Sequence, residues 1–141
     1  MAYMEWNTAL KVGIAIFDDE HKKLIAVINR LHEALQAGCG QADLLREVDH
    51  LIDYTAMHFR HEEMYFDDWS YPAAKPHCAS HAALYGKMCG FRHAITSSNG
   101  SGFHGLRATE EMLKFLKSWW FDHILIEDQA YGTYLMNKGV R

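Results

Sequence analysis

Along four stretches of this chain the apolar residues recur every three or four positions, and in each stretch the stripe gives way to histidine at one end. That spacing is the repeat of one helix face, so the chain must form helices that bury a stripe against one another. The first stripe runs His21, Leu24, Ile28, Leu31 and Leu35, and the second Leu44, Val48, Leu51, Thr55, His58 and Glu62. The third runs His77, His81, Leu84, Met88, Phe91 and Ile95, and the fourth Met112, Leu116, Trp119 or Trp120, and then His123. No alternating pattern of the strand type accompanies them.

Punctuation residues set the expected boundaries. Residues 1–18 read as an N-terminal arm packed over the body, after which Asp18 or Asp19 serves as N-cap for a helix over about 19–37. Gly38-Cys39-Gly40 stops it, a second helix covers about 42–68, and Ser70-Tyr71-Pro72 breaks that one. A third covers about 74–96, with Pro76 tolerated in its first turn. The run from Ser97 to Gly102 has loop composition, and a fourth helix follows over about 106–128, with an extension to 137. Four helices of about 30 Å joined by short loops predict an all-α, up-down-up-down antiparallel four-helix bundle, a single domain over 1–141.

Composition narrows the function. A length of 141 residues suits one domain with a real core, and a formal charge of -4 gives no basic footprint for nucleic acid. No segment approaches the ~18 apolar residues of a membrane span, and the opening MAYMEWNTAL lacks the pattern of a secretion signal, so a cytoplasmic protein is expected. Cys39, Cys78 and Cys89 form no CxxC pair and read as reduced thiols.

In an antiparallel bundle the starts of helices one and three lie level with the ends of helices two and four. His21, His58, Glu62, His77, His81, His123 and Asp128 therefore gather at one end of the core. Burying an unpaired carboxylate or imidazole costs several kcal/mol, and metal ions explain seven such groups in one layer economically. Nitrogen and carboxylate donors without thiolate suit Fe, Mn or Zn, with Fe or Mn preferred for a carboxylate-bridged pair. Residues i and i+4 share a face, as in His58/Glu62 and His77/His81, whereas His123 and Asp128 are five apart, about 140° round a regular helix. A π-bulge or a loosened last turn is predicted there.

The segments DDEH at 18–21, HFRHEE at 58–63, YPAAKPHCASH at 71–81 and HILIED at 123–128 together resemble the signature of the bacterial hemerythrin family: a lone His, HxxxE, HxxxH and HxxxxD in order. Myohemerythrin has the same up-down-up-down bundle topology. The resemblance implies one iron held by His77, His81 and His123 and another by His21 and His58. Glu62, Asp128 and an oxo or hydroxo group would bridge the two Fe(II)/Fe(III) ions, with O2 bound reversibly at the less ligated one. The implied function is oxygen storage, delivery or buffering, with no side chain needed as acid or base and therefore no enzymatic turnover. Five imidazoles and two carboxylates leave more positive charge than the four carboxylates and two histidines of ferritin-like oxidases, which favours binding over oxidation.

Three positions depart from the family's habit. Trp120 stands where a leucine facing the O2 pocket is common, Phe66 where a methionine is usual, and Leu84 where a phenylalanine is common. Trp120, Ile124 and Phe59 are the candidate pocket lining, with Trp120 expected to narrow or fill the pocket. His32, His50, His61, His93 and His104 read as surface or loop residues, and Glu63, Asp67 and Asp68 as a solvated acidic helix end. The competing functions are an oxygen or redox sensing module acting through a separate partner, a di-iron oxidase or peroxidase, and a structural zinc site. A monomer is expected, since no helix carries an obviously apolar outer face.

Overall fold

The structure, a computed structural model, describes residues 2–97 and 102–141, without the side chains of 102–104. The loop expected at 97–102 falls largely at 98–101 and, like the side chain of His104, lies outside the described residues. Helices α1 (Ala15–Gln36), α2 (Gln41–Asp68), α3 (Ala74–Thr96) and α4 (Gly102–His123) pack as an antiparallel four-helix bundle, and no strand occurs among the described residues. A π-helical turn, Ile124–Asp128, continues α4 without a break into α5 (Gln129–Asn137). No helix is long and apolar enough to cross a membrane among the described residues.

The four stripes form the core. Leu24, Ile28, Leu31, Leu51, Val48, Leu84, Met88, Ile95, Met112 and Leu116 are all buried, and Trp120 rather than Trp119 continues the fourth stripe inward. Phe91 is only half-buried. Tight reversals keep the helices antiparallel. Beyond α1, Gly38 takes φ 72°, a conformation that costs a residue without a Cβ nothing, while Gly38 N–H donates to Leu35 O and Cys39 N–H to Ala34 O. Beyond α2, Ser70 N–H and Tyr71 N–H satisfy the Asp67 and Phe66 carbonyls in the same pattern.

The arm is fastened at both ends, and α1 claims its last residues. Helix α1 begins at Ala15, four positions before the expected start at 19, so neither Asp18 nor Asp19 is its N-cap. Burying Ile14 and Phe17 drives the earlier start, and Asp18 instead reaches back to accept from Val12 N–H (2.7 Å) and Gly13 N–H (3.3 Å). The Asn29 carboxamide pairs with both backbone groups of Met4, accepting at 2.8 Å and donating at 2.9 Å. At the far end Gln129 donates to the carbonyls of Ala9 and Lys11. A Cβ added at Gly132 would lie 2.3 Å from Val12 O, so α5 meets the arm backbone to backbone.

Candidate metal centre

All seven residues singled out from the sequence meet at one end of the core, each nearly or wholly buried. Glu62, His77, His81, His123 and Asp128 each offer one donor atom within 4.8 Å of the others, and His21, His58, Glu62 and Asp128 form a second such group. Glu62 and Asp128 belong to both groups, so the geometry is that of two adjoining sites sharing two carboxylates. The π-helical turn delivers the last of them. It absorbs the mismatch of the five-residue step and brings Asp128 Oδ1 within 2.9 Å of His123 Nε2.

Five of the atoms facing inward lack partners, while His77 Nε2 lies 2.9 Å from Asp128 Oδ1. His21 Nε2, His58 Nε2, His81 Nε2, Glu62 Oε1 and Asp128 Oδ2 are buried with no hydrogen bond among the described residues. His21 Nε2 lies 3.1 Å from Asp128 Oδ2 without the angles of a hydrogen bond, and His77 Nε2 faces His123 Nε2 at 3.2 Å. Imidazole nitrogens turned on one another and on carboxylate oxygens are the arrangement of ligands around cations. The electrostatics agree. Burial raises the Asp128 carboxyl, but His123, His21 and His77 outweigh it and hold the group well below the usual carboxylate range. Glu62 is likewise held low, where burial and Asp128 oppose His58, His81 and His21. Burial pushes His58 and His123 down, but the surrounding carboxylates push them above the usual imidazole range. The cluster's own field therefore calls for positive charge at its centre, and the residues fit a carboxylate-bridged pair of metal ions.

A second layer orients the first. Glu20 Oε1 sits 2.6 Å from His58 Nδ1, Glu63 Oε2 2.8 Å from His81 Nδ1, and Glu127 Oε1 3.3 Å from His123 Nδ1. A carboxylate at Nδ1 fixes the proton there and leaves the Nε2 lone pair for the centre. Ser80 Oγ–H donates to Glu127, and the Tyr131 hydroxyl donates to Glu62. Burial, with Glu62 and Asp128 adding to it, drives the Tyr131 phenol well above its ordinary value, so it stays a donor. Aromatic rings hold the imidazoles flat: Phe59 stacks on His81 at 3.7 Å, and Trp119 on His123 at 4.3 Å.

This layer corrects two expectations. Glu63 is not part of a solvated helix end, because it holds His81. His61 is not a plain surface residue: it is half-buried, edge-on to Phe17, with Nδ1 2.6 Å from Glu20 Oε2. Glu20, Glu127 and Tyr131 were not singled out at all. The sequence does carry a signal for the carboxylates, since Glu20, Glu63 and Glu127 each adjoin one of the seven, a step of about 100° that aims them at a neighbouring ring. His32 stacks on Tyr3, and His50 and His93 are exposed. The three cysteines are free. Of the candidate pocket lining, Trp120 and Ile124 are fully buried and Phe59 nearly so. A cleft of about 290 Å³ between α2 and α3 reaches Phe59 and His81 from the surface.

Comparison with known proteins gives a consistent picture. Residues 12–135 match the model of the hemerythrin HHE cation binding domain. The bacteriohemerythrin of Pseudomonas aeruginosa is 30% identical over 131 residues, covering 93% of this chain and 80% of that protein. That of Methylococcus capsulatus is 29% identical over 138 residues, covering 96% and 98%. Among solved structures, wild-type hemerythrin superposes with a TM-score of 0.78 at 27% identity, covering 94% of this chain and 97% of that one.

Proposed function

The chain belongs to the hemerythrin family, and from that membership we propose that it binds O2 reversibly at a non-haem di-iron centre, for oxygen storage, delivery or buffering. In this reading His77, His81 and His123 hold one iron, His21 and His58 hold the other, and Glu62 and Asp128 bridge them. The single observation that carries it is the pair of adjoining donor groups sharing two carboxylates, with five inward atoms that have no hydrogen-bond partner among the described residues. Bound iron supplies the electrons by which O2 is taken up and given back.

The chain's own residues supply the setting. Glu20, Glu63 and Glu127 set the tautomers of His58, His81 and His123, and Tyr131 orients Glu62. Trp120, Ile124 and Phe59 line the ligand pocket in this reading, and their packing excludes the water and protons that would make the uptake irreversible. The two-histidine side has fewer protein donors, which leaves room for an external ligand.

The test is reconstitution with Fe(II) without oxygen, followed by O2 and then argon, with iron quantified and visible absorption followed. Two irons per chain and a band that develops with O2 and vanishes under argon are expected. A band that persists would refute reversible binding, and a colourless protein without iron would refute the di-iron centre itself.

A further inference from the structure

Trp120 is fully buried, and its indole N–H has no acceptor among the described residues. Native interiors almost always avoid a buried donor without a partner, because the group surrenders its hydration for nothing. A leucine or phenylalanine would fill this space without that loss, so packing alone does not account for an indole here. The ring's surroundings indicate where an acceptor would come from. Its centroid lies 6.0 Å from that of His58, 6.4 Å from His21, 5.9 Å from His123 and 5.7 Å from Phe59. His58 Nδ1 is committed to Glu20, and Glu62 Oε2 accepts from Tyr131. The inward nitrogens of His21 and His58 belong to the centre. No group among the described residues accepts the indole proton, although Thr55 Oγ1, Glu62 Oε1 and Asp128 Oδ2 are also buried without partners, and a ligand brought in from outside would supply an acceptor beside this ring.

We propose that Trp120 Nε1–H donates a hydrogen bond to the external ligand held on the His21/His58 side of the centre, an inference that rests on the di-iron reading above. The ligand class is a diatomic or small anion whose outer atom carries a lone pair and gains negative charge on binding. Trp120 is then a specificity-determining residue: it strengthens such ligands over neutral ones that accept hydrogen bonds poorly.

The test uses the diferric protein with azide as the probe, comparing wild type with Trp120→Phe, and with Trp120→Leu should the first variant fail to fold. Tryptophan labelled with nitrogen-15 gives one indole signal for each of the 4 tryptophans, and the Trp120 signal is the one missing from the variant. Azide is expected to move that signal downfield, and the variant's dissociation constant for azide to rise about tenfold, equivalent to about 1.4 kcal/mol. An unmoved signal together with equal azide affinities, in proteins shown to carry two irons each, overturns the inference and leaves the di-iron reading standing. Failure of the wild type to take up two irons overturns that reading instead.

Discussion

Substituting alanine for Glu20 removes the acceptor of two imidazole groups at once, His58 Nδ1 and His61 Nδ1, each 2.6 Å away. A hydrogen bond to a charged group contributes about 1.5–3 kcal/mol. The His61 bond counts for less, because that side chain is 25% exposed and water replaces the lost partner. At His58 the imidazole is fully buried, and nothing replaces Glu20. The expected loss at that ring is therefore about 1.5–3 kcal/mol, or roughly 10–100-fold in metal affinity, the range usual for an outer-layer carboxylate. The loss should be confined to one half of the centre, since His81 and His123 keep Glu63 and Glu127. Oxygen-free Fe(II) titration against a competing chelator would show one iron held as in wild type and the second weakened by that factor. Glu20→Gln should stay within a few-fold of wild type, because its carbonyl accepts from His58 while its amide turns to the half-exposed His61, which is free to change tautomer. Wild-type affinity for both irons in the alanine variant, or equal loss of both, would refute this reasoning.

Three further outcomes follow from the packing and the charges. Gly132→Ala places a methyl against Val12 O, and should cost about 1–3 kcal/mol and lower the melting temperature by several degrees; an unchanged thermal transition would show that the arm moves freely. Stability should fall as pH rises above about 10. Burial raises the Tyr54 phenol to about 12 and Tyr131 well above its ordinary value, so the unfolded chain releases these protons first; denaturant midpoints at pH 8 and 11 check the sign. Asn29→Ala strips both partners from the Met4 backbone and should free the arm at a cost of about 1–3 kcal/mol, seen as faster amide exchange at residues 4–12 and refuted by unchanged protection.

Much of this was legible in the sequence, for reasons specific to helices. A stripe at 3–4 spacing maps directly onto a buried face, so Leu24 to Leu35 and Val48 to Glu62 declare which side of each helix is inward. The π-helical turn was legible because two residues committed to one centre, His123 and Asp128, stand at a spacing no regular helix brings together. What stayed hidden depends on the neighbouring helix. Glu20 and Glu63 lie about 100° off their own stripes, where a single helix read alone predicts solvent, and only the approach of α2 and α3 brings an imidazole within reach of their carboxylates. The start of α1 misled for a related reason: Asp18 has the composition of a cap, but its oxygens serve the arm, whose path no local pattern reveals.

The ring of glutamates also changes the charge arithmetic of the proposed centre. Counted by inner donors alone, two carboxylates face the four positive charges of a ferrous pair, and the excess resists further oxidation. Glu20, Glu63 and Glu127 each place another negative charge just behind an imidazole, which brings the count to five, one more than the positive charges, and removes the excess across the width of one ring. Two of the three are not fully enclosed, with the side chains of Glu63 and Glu127 exposed by 37% and 35%. The reduction potential of an iron pair held there would thus be set in part at the protein's surface, where one glutamate can be exchanged, protonated or screened by salt while the seven inner residues stay in place.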